Sequence, residues 1–298
     1  MIAVDRLVLA VANQRDEKSG RRIPIMPAID QIMSLKDKLG VKELFELVGA
    51  FARERVDCLE RITDAEKAIK ALYNRLTTDE KTIFLSMIYD EFAQKYDLHM
   101  GRDTNHYDAM RKLIGFSLQT NMIGYPFIDV TAGTGEMAKY VVQSNGRRGQ
   151  VIVNEISSKM MELAIAKFEG KHEIEFRTGS AYDLGDEFEG RMRTVLCSQT
   201  FHLLSYDDKI KLVRVINELL MPGGIAMILE EDPFRVSNTH SIESVRFFIE
   251  SVAEPIKAPD ILIGMFEASY FTKLEHRAAW PIDGDHVMRL HLFQKISW

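Results

Sequence analysis

The chain has 298 residues, 46% of them hydrophobic, a formal net charge of −6 and two cysteines, Cys58 and Cys197. That length holds one large domain or two modest ones, and an acidic balance without a dense Lys/Arg block argues against nucleic acid and for a small-molecule partner. No apolar window is long enough to cross a bilayer, the Leu7–Ala12 run follows an acidic Asp5 and is too short for a secretory signal, and the cysteine usage fits a reducing cytoplasm.

In chain order, Arg15 to Arg22 is polar with Ser19-Gly20 inside and reads as a loop. From Asp30 to Phe92 the pattern is helical. Val41, Leu44, Phe45, Val48, Ala52, Val56 and Leu59 recur at three- and four-residue steps, which makes one apolar stripe. Thr63-Asp-Ala-Glu66 and Thr77-Thr-Asp-Glu80 are capping boxes, the second opening a helix with Ile83, Phe84, Met87, Ile88 and Phe92 inward. This block reads as a helical extension over 1–88, which caps a pocket or makes a homodimer interface.

A helix over about His106–Leu118 leads to a short apolar strand, Pro126–Val130, then a glycine turn and a helix from Glu136. Gly133 and Gly135 lack a β-carbon, so the backbone turns sharply and a ligand approaches closely. Asp129 stands at the strand's carboxyl end, where open α/β sheets bind ligands. The second strand, Gln150–Glu155, ends in an acid 20 residues beyond Gly135, the spacing at which nucleotide-binding folds engage ribose hydroxyls. Further strands follow at Ile174–Thr178, Thr194–Ser198 and Ile225–Leu229, the last two separated by a helix capped by Ser205 and stopped at Pro222-Gly-Gly224. Helix signals return over Ser241–Ile256. Tyr270–Pro281 and His286–Lys295 then read as strands joined at Asp283-Gly284. The expectation is an α/β fold: a doubly wound, seven-stranded, mostly parallel sheet with a C-terminal antiparallel hairpin, over 89–298, plus the N-terminal helical extension.

Four separated features resemble the class I, Rossmann-like S-adenosylmethionine (SAM) methyltransferases of small-molecule type. They are Asp129-Val-Thr-Ala-Gly-Thr-Gly135, Glu155, Gly179-Ser-Ala-Tyr-Asp183 and Leu220-Met-Pro-Gly-Gly224; the closing hairpin agrees. The segment Tyr89–Met100 is similar to one that folds over the cofactor in that family, which implies that Tyr96 lies near the methionine carboxylate. Arg102 and His106 are further candidates to meet a carboxylate. The resemblance implies SAM as donor, with Ala132 and Gly133 facing its methionine part and Asp129 accepting from its ammonium group. It implies Glu155 on the ribose hydroxyls, Ile156 on the adenine, and Ser180, Ala181 and Tyr182 bordering the adenine. Ser198 and Phe201 would line the path to the methyl group.

Two departures stand out. The family more often has glycine where Thr131 stands and an acid where Ser180 stands. His202 is placed where a base could act, with a side chain suited to proton transfer at neutral pH. Glu230, Glu231 and Asp232 form an acidic cluster fit for a cationic substrate. No His/Cys set with metal-ligand spacing accompanies them, so no metal is expected. Methyl transfer to an N, O or C nucleophile in an enclosed pocket is the first reading. The alternative breaks another sulfonium bond, cyclising or transferring the aminobutyrate arm and releasing methylthioadenosine; an inactive SAM-binding regulator is a third.

Overall fold

The computed structural model describes residues 39–54, 62–145, 149–168, 174–232, 243–253, 259–274, 279–283 and 286–297. The Arg15–Arg22 loop, Val56, Cys58, Leu59 and Gly284 lie outside the described residues. In chain order the elements are α1 (Val41–Glu54), α2 (Ile62–Tyr73), α3 (Thr78–Leu98), α4 (His106–Gln119), β1 (Phe127–Asp129), α5 (Glu136–Ser144) and β2 (Val151–Glu155). There follow α6 (Ser158–Lys167), β3 (Ile174–Thr178), α7 (Leu184–Phe188), β4 (Met192–Ser198), α8 (Tyr206–Leu219) and β5 (Leu220–Asp232). The last are α9 (Glu243–Val252), α10 (Pro259–Glu267), β6 (Phe271–Lys273), β7 (Ala279–Asp283) and β8 (His286–Lys295). None of the described helices is long and apolar enough to cross a membrane.

The chain divides into two compact units, 1–92 with 240–253, and 93–239 with 254–298. The first is helical. Leu44, Leu47, Val48 and Phe51 of α1 form its buried stripe, joined by Ile69, Leu72 and Tyr73 of α2. Rings bind the helices together: Tyr73, Phe84 and Phe248 meet pairwise at 4.9–5.7 Å between centroids, and Phe51 packs on Phe247. The capping box before α3 forms as read, with Thr77 N donating to Glu80 Oε2 (2.8 Å) and Glu80 N to Thr77 Oγ1 (3.3 Å). The other box does not start its helix, since α2 already begins at Ile62. Ile83, expected inward, is 55% exposed; the buried stripe of α3 runs Phe84, Leu85, Ile88, Phe92.

Among the described residues the second unit is built on one sheet, ordered β3-β2-β1-β4-β5-β8-β6, with β7 also paired to β8. β1 to β5 pair in parallel, and β8 runs antiparallel to β5, β6 and β7. Alternate residues feed two cores. Phe127, Val151, Leu196 and Met227 pack with Met110 of α4, Val141 of α5 and Ala164 of α6. Ile128, Ile152, Val195 and Ala226 pack with Phe188 of α7, Val213 of α8 and Phe266 of α10. Burial on both faces explains why these strands read as continuous apolar runs. The chain order reverses direction across the sheet between β1 and β4, which opens a crevice at the carboxyl ends of those strands.

The expected strand over Tyr270–Pro281 runs through residues 275–278, which lie outside the described residues; before them β6 pairs with residues 293–295 of β8, and after them β7 pairs with residues 286–289. Pro281, which has no N–H to donate, sits in β7 at the sheet's edge, where it is tolerated. The Pro222-Gly-Gly224 turn is absorbed into β5, whose register with β4 shifts between Met192 and Thr194. A β-carbon at Gly224 would stand 2.9 Å from the Met221 carbonyl, so only glycine fits that irregularity.

Candidate functional site

The crevice is assembled from the ends of β1, β2 and β4. Asn154 of β2 ties the loops after β1 and β3 together: its side-chain amide donates to the carbonyls of Val130 (2.9 Å) and Gly179 (3.2 Å), and its backbone carbonyl accepts from Ala132 N (2.9 Å). Gly133 and Gly135 both take positive φ, +56° and +73°, a conformation that L side chains resist. A β-carbon on Gly133 would lie 3.4 Å from the Tyr96 ring, so that ring sits directly over the turn. One on Gly135 would meet Ala164 at 3.0 Å, which gives this glycine a packing reason: α6 approaches the turn closely there.

Two carboxylates flank this turn. Glu155 is buried; its Oε2 accepts from Gly133 N (2.7 Å) and its Oε1 from Ser157 N (2.9 Å). Asp129 is fully buried, and neither of its carboxylate oxygens has a hydrogen-bond partner. Burial pushes its pKa up to about 8; the nearby Thr131 backbone N–H works against that without closing a hydrogen bond, and the Glu155 charge adds to it. An orphaned buried carboxylate suits a cationic hydrogen-bond donor supplied from outside the chain.

Thr131 shows what its hydroxyl does in this chain. It accepts from Thr200 Oγ1 at 2.8 Å and lies 3.6 Å from Cys197 Sγ, linking the ends of β1 and β4. Thr200 Oγ1 also reaches the Ser198 carbonyl at 3.0 Å. Burial raises the pKa of the Cys197 thiol well above its usual range, so it stays protonated at neutral pH. The next residues close on Glu230. Its Oε1 accepts from the backbone N–H groups of Thr200 and Phe201, both at 2.7 Å, and its Oε2 from His202 Nδ1 at 2.9 Å. A carboxylate only accepts, so the imidazole carries its proton on Nδ1 and presents Nε2 as the basic nitrogen.

Glu230 and Glu231 are successive strand residues and turn to opposite faces of the sheet. Glu231 Oε1 is bonded by His106 Nε2 and its Oε2 by His286 Nε2 (2.6 Å). Burial alone would raise this carboxyl; the two imidazoles outweigh it and hold the pKa down to about 2. Glu230 and Glu231 therefore do not converge on a cation, because Glu230 is held by two backbone amides and one imidazole and Glu231 by two imidazoles. His106, a candidate for the cofactor's methionine carboxylate, is bonded through Nε2 to Glu231.

The expected adenine end is less committed. Ile156 is half-buried after β2. Ser180 Oγ caps a short 3-10 turn by accepting from Tyr182 N (3.3 Å), Ala181 is buried within that turn, and Tyr182 OH donates to the Asp208 carbonyl at 3.3 Å. Ser198 is half-buried at the end of β4. The Phe201 ring is fully buried against Phe266, so its backbone N–H, not its ring, faces the Glu230 cluster. Sequence reading missed Asp97, Thr134 and Lys167, which form a polar cluster beside the glycine turn. It named Glu230 without pairing it to His202, although Glu230 lies near the carboxyl end of β5, His202 follows β4, and period-two alternation alone separates Glu230 from Glu231.

Residues 127–224 match the model of the methyltransferase domain family. The chain is 23% identical over 175 residues to the ubiquinone/menaquinone biosynthesis C-methyltransferase UbiE of Pectobacterium atrosepticum, covering 56% of this chain and 67% of that protein. It is 24% identical over 174 residues to the protein of the same name from Coxiella burnetii, covering 57% and 68%. Among solved structures, it is similar to a SAM-dependent methyltransferase of Thermotoga maritima described as a possible histamine N-methyltransferase, with a TM-score of 0.51 and 15% identity, covering 72% of this chain and all of that one. The [4+2]-cyclase SpnF gives a TM-score of 0.54 at 14% identity, covering 73% and 97%. At these identities the structural likenesses speak for the fold alone.

Proposed function

We propose that this chain is a class I SAM-dependent methyltransferase that takes its methyl group from SAM and passes it to an N, O or C nucleophile of a small molecule, with His202 as the general base. The observation that carries this reading is the His202–Glu230 pair. Glu230, fixed by two backbone amides, holds the imidazole in one tautomer and stabilises the imidazolium that forms when Nε2 takes a proton. A methyltransferase needs such a base only where the nucleophile arrives protonated, as a phenol, an acidic carbon or an ammonium group. The curated relatives are C-methyltransferases by name, which supports a carbon acid as one arm of the test.

The donor's sulfonium is already activated, so its methyl group needs an aligned nucleophile rather than a covalent intermediate. In this reading the chain's residues bind and orient. Asp129 accepts from the ammonium group, which supplies its missing partner. Glu155 takes the ribose hydroxyls with the lone pairs left beside its bonds to Gly133 and Ser157. Ala132, Gly133 and Gly135 shape the turn against the methionine part, Tyr96 covers it, and Ile156 with Ser180, Ala181 and Tyr182 borders the adenine. Ser198 and the backbone of Phe201 stand on the path to the acceptor. The chain's two-cysteine composition supports a cytoplasmic setting.

The test is incubation with SAM alone and then with a metabolite fraction, reading nucleoside products by mass spectrometry. S-adenosylhomocysteine formed only with an acceptor supports the proposal; methylthioadenosine formed without one overturns it. In the same assay His202→Ala is expected to lower kcat by about 10²–10⁴-fold with SAM affinity unchanged, the usual worth of general base catalysis. Wild-type turnover in that variant would return His202 to a packing role.

A further inference from the structure

We propose that Asp97 and Lys167 form a positioning pair that seats Tyr96 over the SAM-binding turn and so sets the affinity for SAM. The inference rests on the reading that Tyr96 and Gly133 border SAM, and it concerns residues that reading does not assign. Asp97 directly follows Tyr96 near the end of α3. Its Oδ2 pairs with Lys167 Nζ at 2.7 Å, and its Oδ1 accepts from Tyr107 OH at 2.6 Å and from Thr134 Oγ1. Lys167 Nζ also donates to Thr134 Oγ1 (2.7 Å) and pairs with Glu136 Oε2 (3.2 Å), whose other oxygen takes Arg111 Nη2 at 2.5 Å.

These contacts join four pieces of chain that share no local sequence. Asp97 ends α3, Tyr107 and Arg111 belong to α4, Lys167 ends α6, and Thr134 is the fully buried residue between the two glycines of the turn. Two acids balance two bases, so the cluster is neutral as a whole. Thr134 is its hub: the hydroxyl donates to Asp97, which ties the turn to the end of α3, and accepts from Lys167, which ties it to the end of α6. The Tyr96 ring, edge-on to Tyr107 at 6.5 Å, is thereby held 3.4 Å from the point where a Gly133 β-carbon would stand.

Stability alone does not explain such a cluster. The Asp97 side chain is 42% exposed, and an ion pair with a partner open to water contributes little to stability; selecting one arrangement among several is the use that remains. Lys167 is largely buried, yet it terminates a helix where an exposed lysine would serve as well. What the pair selects is the closed placement of the Tyr96 segment. Without it that segment samples other positions, and SAM affinity falls by the fraction of time the seat is lost.

The test uses calorimetric SAM titrations of the full chain. Lys167→Met and Asp97→Asn are each expected to weaken SAM binding by about tenfold, with most of it restored in Lys167→Arg. Asp97→Asn keeps an oxygen for Tyr107 and Thr134 and removes only the charge facing Lys167, so it carries the test if Lys167→Met does not fold. The decisive readout is Lys167→Met on a Tyr96→Ala background. If the pair acts through Tyr96, the second change adds less than about twofold. A full tenfold loss on that background, or wild-type affinity in the single variants, overturns the proposal. Failure of the wild-type chain to bind SAM would instead overturn the reading beneath it.

Discussion

Asp129 and Glu231 are both buried carboxylates at the carboxyl ends of strands in one sheet, and their environments drive them in opposite directions. Burial raises the pKa of each. Asp129 has no partner on either oxygen and reaches about 8, whereas Glu231 has an imidazole on each oxygen and is held down to about 2. The same chemical group is thus used in two ways. Glu231 is saturated by the chain, which makes it part of the fold; Asp129 is left for a donor that the chain does not contain, which makes it part of a binding site.

The largest effect that would break this contrast concerns Glu231. Glu231→Ala strands His106 and His286 in a buried setting and is expected to cost about 3–5 kcal/mol in urea or thermal unfolding, with SAM affinity of the folded protein unchanged. Stability within 1 kcal/mol of wild type would mean that the cluster is not a structural device. The pH dependence has a fixed sign. Because folding depresses this carboxyl from its ordinary 4.5, its contribution is present above that value and is lost as pH falls toward about 2. The variant should lack that acid-side loss.

Asp129 carries the opposite sign. Its folded pKa lies above the ordinary 3.8, so the folded state holds the proton that the unfolded chain releases, and stability declines as pH rises from about 4 toward 8. Asp129→Asn should remove that decline and become the more stable protein above pH 8, where the wild type buries an unpaired charge. The same variant should weaken SAM binding by about 1.5–3 kcal/mol, the worth of a hydrogen bond to a charged group. At pH 7 the wild type should release about one proton per SAM bound, seen as a buffer-dependent binding enthalpy, and the variant none. Equal proton release in both would place the titrating group elsewhere.

What was readable in the sequence follows the same divide between local and assembled features. The strand, glycine turn and helix from Phe127 to Met137 depend on neighbours within a few residues, and the spacing to Glu155 spans one βα unit, so the crevice and its two flanking acids could be placed in advance. The short apolar runs marked strands buried on both faces, as β1, β2 and β4 are. The Glu231 cluster was not readable, because His106 lies 125 residues and His286 lies 55 residues away. Nothing in either histidine's neighbourhood names its partner; only the placement of α4 and β8 beside β5 does so. The Asp97–Lys167 pair has the same origin, since α3 and α6 bring together residues that lie far apart in the chain.

Thr131 gives the finest test of the contrast. Its hydroxyl could have faced the ligand, as the departure from glycine invites, yet it accepts from Thr200 within the chain at 2.8 Å. If partner saturation is what separates fold from site, Thr131 belongs with Glu231. Thr131→Val keeps the branched shape and removes that acceptor together with the weak contact to Cys197 Sγ, and Thr200 retains the Ser198 carbonyl at 3.0 Å. The expected cost is therefore about 0.5–1 kcal/mol of stability, with SAM affinity unchanged by calorimetry. A loss of SAM affinity larger than the loss of stability would move Thr131 to the ligand side, and hydrogen-bond saturation in the free protein would no longer separate the two kinds of residue.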